Sequence, residues 1–196
     1  MIPAALLACA LNVSPVTLEA VARVESDGNP LALNVNRLGG PQPHPASVAD
    51  AVRIAEGYIA RGISVDLGLM QVNSRNLPAL GYTVEQVLDP CTNVAAGGRI
   101  LTANYADAVR QMGEGQPALQ AALSAYNTGS LSAGFRNGYV AKYLGPGGVP
   151  ALAGGVRQAA ASTAAGKPVA SKARPSPYTA DIAIDFTEAS SVQFVQ

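Results

Sequence analysis

The segment Leu18-Glu19-Ala20-Val21-Ala22-Arg23-Val24-Glu25-Ser26-Asp27-Gly28-Asn29-Pro30 carries both a helix and a candidate acid. Ser14 is placed to cap the helix, and Pro15 fits its first position. Asp27-Gly28-Asn29-Pro30 stops it, with Gly28 suited to the left-handed conformation that follows a helix end. Leu18, Val21 and Ala22 form one apolar stripe, and the next position on that stripe is Glu25. A carboxylate therefore occupies a core-facing position in the last turn of a helix. Desolvation and the negative end of the helix dipole both favour its protonated form. A carboxylic acid that keeps its proton near neutral pH suits general-acid chemistry, including cleavage of a glycosidic bond. The plainer reading is a helix-terminal Glu turned to solvent, so other segments must decide.

Outward from this segment, the chain has 196 residues, enough for one domain and a tail. Hydrophobic residues make up 48% of it, which suits a globular protein. Lys+Arg and Asp+Glu are both 13, and this balance argues against nucleic acid or an anionic membrane as the main partner. The one histidine, His44, lies between two prolines in an expected exposed loop, with no ligand cluster around it. No metal site and no cofactor are expected. No stretch is long enough to span a membrane. Cys9 and Cys91 read equally well as two buried thiols or as one disulfide closing a long loop. Ile2 to Ala10 lacks the charged start and the length of a signal peptide, and reads as the first helix of the domain. An export signal, if the protein is secreted, is expected to be missing from this chain.

Leu31–Asn36 and Ile63–Leu67 read as two strands, forming a small β patch beside a helical body. Ser47 caps a helix to about Ala60, with Val48, Val52, Ala55 and Ile59 on one face. Gly68 to Asn73 is expected to open a helical turn. Thr83 to Leu88 is a short helix with Gln86 at the capping-box position. Further helices are expected over Asn93–Met112, from Pro117 to a stop at Gly129, and over Asn137–Leu144. The Pro117 helix carries Leu119, Ala122, Leu123 and Tyr126 on one stripe. Composition shifts near residue 148. Residues 149–196 are rich in Ala, Gly, Ser and Pro and are expected to form a flexible tail. Within that tail Asp181 to Phe186 alternates as a strand donated to a partner's sheet would.

Three segments belong together: Glu25-Ser26, Gly68-Leu69-Met70-Gln71 and Ala125-Tyr126-Asn127. In this order and spacing they resemble the signature motifs of the soluble lytic transglycosylases, which have a goose-lysozyme-like fold. Four further features are similar to the branch found in type IV secretion systems. These are the early cysteine, Val24-Glu25-Ser26-Asp27-Gly28-Asn29-Pro30-Leu31-Ala32, Asp66-Leu67-Gly68-Leu69-Met70-Gln71-Val72-Asn73-Ser74, and Asp89-Pro90-Cys91-Thr92-Asn93. The likeness runs from about Leu6 to Leu144. The fold class expected is α+β, mainly α: a lysozyme-like helical domain over residues 1–148 with a small β patch, then the tail.

The resemblance implies an enzyme that cleaves peptidoglycan glycan strands between N-acetylmuramic acid and N-acetylglucosamine. It implies Glu25 as the acid that protonates the linking oxygen and then, as a base, closes a 1,6-anhydro ring. Substrate contacts are implied for Ser26, Gly68, Met70, Gln71, Tyr126 and Asn127. Gly68 would let backbone approach the sugar, and Met70 would line an apolar wall. Gln71 would hold an N-acetyl group or Glu25, and Tyr126 would aim its hydroxyl at either. Ser26 would orient the N-acetyl group or end its helix. Asp66 is expected to cap the following turn, or to line the groove as a second carboxylate and permit lysozyme-type hydrolysis. The implied compartment is the periplasm, where a Cys9–Cys91 disulfide becomes the expectation. Secretion-system subunits are implied partners through the tail. A non-catalytic module binding glycan or pilus components is the alternative.

Overall fold

A computed structural model describes residues 2–144. The tail reading and its candidate strand lie outside them. Eight α-helices and three short strands make a mainly helical body with one small sheet among the described residues. The helices are α1 Ala4–Leu7, α2 Pro15–Ser26, α3 Val48–Ile59, α4 Leu77–Leu80, α5 Val84–Val87, α6 Pro90–Met112, α7 Gln116–Thr128 and α8 Ala133–Arg136. The strands are β1 Leu33–Val35, β2 Val65–Leu67 and β3 Val72–Asn73. Short 3-10 turns lie at Ser74–Asn76 and Val140–Tyr143.

Helix α6, the longest of the described helices at 23 residues, packs along α7. Two adjacent glycines bring other elements close to it. A Cβ on Gly98 would lie 2.7 Å from Ala10 Cβ, and one on Gly97 would lie 2.6 Å from Met70 Cβ. Cys9 and Cys91 form a disulfide that ties the N-terminal segment to the first turn of α6. Asp89 caps that turn, accepting the Thr92 amide at 2.8 Å. The α5 capping box is complete: Thr83 Oγ1 accepts from the Gln86 amide, and Gln86 Oε1 accepts from the Thr83 amide.

The sheet is antiparallel in the order β1-β2-β3. Leu33, Val35, Val65, Leu67 and Val72 turn into the core. Period-two alternation then places Asn34, Asp66 and Asn73 in one cross-strand row on the other face.

Four expectations change. Gly68 to Asn73 is a hairpin rather than a helical turn. Gln71 takes φ 47° and its amide bonds Gly68 O at 3.1 Å, so the chain reverses and Val72–Asn73 pairs with β2. The Ser14 hydroxyl makes no cap bond to α2; its carbonyl accepts the Leu18 amide instead. Val48 is exposed, and α3 buries Ala51 and Ala55. The expected Asn137–Leu144 helix is only a 3-10 turn at Val140–Tyr143; α8 ends before it at Arg136, and Gly138 between the two takes φ 80°.

Candidate active site

Glu25 lies in the last turn of α2, which ends because Asp27 (φ 53°) and Gly28 (φ 76°) both turn left-handed. Leu18, Val21 and Ala22 anchor the helix in the core, and Glu25 follows them half-buried. The Tyr139 hydroxyl donates to Glu25 Oε1. The Tyr143 hydroxyl lies 2.7 Å from that of Tyr139. Since Tyr139 has one proton and gives it to Glu25, Tyr143 is the donor in the second bond. The two tyrosines sit four residues apart and are almost completely buried.

Burial pushes Glu25 up to about 7, mainly by desolvating its anion. The Tyr139 bond works the other way, the Asp66 charge adds to the rise, and Lys142 opposes it. The surroundings thus hold a carboxylic acid with its midpoint near neutral pH, as general-acid work needs.

The turn Gly68-Leu69-Met70-Gln71 lies against Glu25's helix end, and three successive carbonyls of it are bonded. Gln71 Nε2 donates to Gly68 O at 2.9 Å and to Ala32 O at 3.2 Å. Ser26 Oγ donates to Leu69 O at 2.8 Å, with Ala22 O at 3.0 Å. Tyr126 Oη donates to Met70 O at 2.7 Å. Asn93 completes the frame from α6. Its Oδ1 accepts the Met70 amide at 2.7 Å, and its Nδ2 donates to Leu67 O and Val87 O at 2.8 and 2.7 Å. Gly68 has φ 73°, and a Cβ there would meet Asn93 Nδ2 at 2.5 Å.

These contacts place the expected site residues as follows. Tyr126 gives its hydroxyl to a protein carbonyl, not to Glu25. Met70 is fully buried against Gly97 and Tyr126, so it shapes the turn from inside. Gly68 is required by its φ and by Asn93. The Gln71 and Ser26 donors hold backbone. Asn127 is exposed and stands apart from the turn. Its Oδ1 accepts from Asn137 Nδ2 at 3.0 Å, and Asn137 Oδ1 accepts the Tyr139 amide at 2.9 Å. Asn127 thereby supports the segment that delivers Tyr139.

Asp66 does not cap the following turn. It sits mid-strand, its Oδ1 accepting from Asn73 Nδ2 at 2.6 Å and its Oδ2 from Asn34 and Asn36 at 2.8 and 3.2 Å. Desolvation still raises its pKa above the usual carboxylate value. Tyr139, Tyr143 and Asn93 carry no functional assignment in the sequence reading. The i, i+4 spacing of the two tyrosines is the signal that marks one inward-facing pair. Among the described residues no group of three or more His, Cys, Asp or Glu is placed to hold a metal, and no helix is long and apolar enough to cross a membrane.

A half-buried glutamic acid beside a braced Gly-Leu-Met-Gln turn and a three-stranded sheet thus forms the site of a mainly helical domain. The chain belongs to the transglycosylase SLT domain family, whose model matches residues 4–143. It is similar to the protein virB1 of Agrobacterium fabrum, with 42% identity over 134 residues covering 68% of this chain and 54% of that protein. It is also similar to the type IV secretion system protein virB1 of Brucella abortus, with 41% identity over 140 residues covering 69% of this chain and 58% of that one. The chain thus spans little more than half the length of the curated relatives it matches. No solved structure matches it significantly.

Proposed function

We propose that this chain is a peptidoglycan lytic transglycosylase that opens the cell wall locally for a type IV secretion or conjugation machine. The observation that carries the reading is the Glu25 carboxyl, enclosed, held by Tyr139 and pushed up to about 7. Its proton goes to the oxygen linking N-acetylmuramic acid to N-acetylglucosamine as the C–O bond breaks. The N-acetyl group of the same sugar shares the positive charge left on the ring. Glu25, now a carboxylate, takes the proton of the C6 hydroxyl, and that oxygen closes the 1,6-anhydro ring. Glu25 ends protonated, and no water is consumed.

The single-carboxylate form of the reaction is favoured by Asp66, whose two oxygens already accept three amide bonds. Those bonds take up three of about four acceptor sites and hold both oxygens to the sheet face, which disfavours attack on a sugar carbon. The Gly68–Gln71 turn supplies a rigid floor on which Gln71 Oε1 can accept from the sugar's N-acetyl amide. Peptidoglycan as substrate makes the periplasm the working compartment, consistent with the Cys9–Cys91 disulfide. The secretion-system context follows the names of the relatives, and docking on that machine is assigned to residues 149–196.

The test is a digest of purified peptidoglycan with the protein and with Glu25→Gln, products read by mass spectrometry. Muropeptides released by the native protein and not by E25Q, with glycan binding kept, support the proposal. Equal release by E25Q overturns it.

A further inference from the structure

Among the described residues, Asp66 is a half-buried carboxylate that the proposed reaction leaves without work, and its setting is built. The sheet register aligns Asn34, Asp66 and Asn73 in one row, and Asn36 adds a third amide from the same face of the β1 edge. Three carboxamides from both neighbouring strands thus solvate one anion in place of water. None of them carries charge, so they hold the carboxylate without neutralising it. Glu25 is clamped to the same hairpin: Ser26, its chain neighbour, bonds Leu69 O three residues beyond Asp66.

We propose that Asp66 is a positioning residue that acts as a fixed anion, forming no bond to the sugar while its charge keeps the proton on Glu25 and favours the cationic ring. The inference rests on the transglycosylase reading and assigns a second group in that site. The charged and titratable groups around Glu25 sort clearly. Asp66 from β2 opposes its ionisation, and Lys142 from the Val140–Tyr143 turn favours it. Tyr139 and Tyr143 from the same turn, and Tyr126 from α7, are held neutral by burial. Arg23, on Glu25's own helix, acts on Tyr143.

The test reads Glu25 directly, by carboxyl-carbon NMR titration of the folded protein, with E25Q assigning the resonance. Removing the charge in Asp66→Asn should lower the Glu25 midpoint by on the order of one pH unit, and Asp66→Glu should restore most of it. Because Glu25 must hold its proton to act as acid, the basic limb of the pH–rate profile of D66N should move down in parallel. An unchanged Glu25 midpoint in folded D66N overturns the inference, even if its activity falls. If D66N does not fold, the native protein carries the test. Coupled groups each show a second inflection at the other's midpoint, whereas two independent single-step curves overturn the inference. Native protein that releases no anhydro product refutes the transglycosylase reading. Native protein that does release it, with Glu25 indifferent to Asp66, refutes this inference alone.

Discussion

Glu25→Gln should make the folded protein more stable at alkaline pH, by an amount the structure sets. The Glu25 pKa rises from 4.5 to about 7 on folding. Between those values the folded chain holds a proton that the unfolded chain has released. Stability therefore falls as pH rises through that window and levels off above about pH 7. The loss is about 3 kcal/mol, since each pH unit of displacement is worth about 1.4 kcal/mol. E25Q has no such proton, and its amide oxygen can still accept from Tyr139. The stability difference between E25Q and native protein should thus grow by about 3 kcal/mol from pH 4 to pH 8. In a domain of this size that corresponds to a relative rise in Tm of roughly 10 °C. Urea denaturation of both proteins across that range checks it. Asp66 and every other group are common to the pair and largely cancel in the difference. A stability difference that stays constant with pH would refute the claim that Glu25 is held protonated.

Further perturbations address the other parts of the site. Tyr139→Phe removes the hydroxyl that favours the Glu25 anion, so the basic limb of the pH–rate profile should move upward, with a stability loss of about 1–2 kcal/mol by denaturant titration. Gly68→Ala places a methyl against Asn93 at a positive φ and should cost about 3 kcal/mol in the same assay. Asn93→Ala strands the Met70 amide and two carbonyls, and should cost about 3 kcal/mol or more, with disordered hairpin amides in hydrogen exchange. Reducing Cys9–Cys91, which spans 82 residues, should destabilise the domain by about 4 kcal/mol, read as a lowered urea midpoint with reductant.

The parts of the fold legible in the sequence are those specified locally. The α2 stripe that ends on Glu25, the Thr83/Gln86 capping box and the Ser47 cap need only a few neighbouring residues, and each is present. The Gly68–Asn73 hairpin is hidden because Leu69 and Met70 look like packing residues and the second of its two left-handed residues is Gln71, which no turn rule favours. Its conformation is enforced from a distance by Asn93, Ser26 and Tyr126. The site divides in the same way. Glu25 announces itself as a polar break in an apolar stripe. Tyr139 reaches it across 114 residues of chain, so no local pattern links the two. The donors of Ser26, Gln71 and Tyr126 looked free for a sugar because a sequence does not list backbone carbonyls as partners. Asp66 read as a cap because its three amide donors come together only through the strand register.

The most direct test of the single-carboxylate account is digestion of peptidoglycan in water enriched in heavy oxygen, with products read by mass spectrometry. The account predicts 1,6-anhydro ends that carry no heavy oxygen. Reducing ends labelled with heavy oxygen would show that water attacks the sugar, and would contradict the claim that Glu25 alone closes the ring.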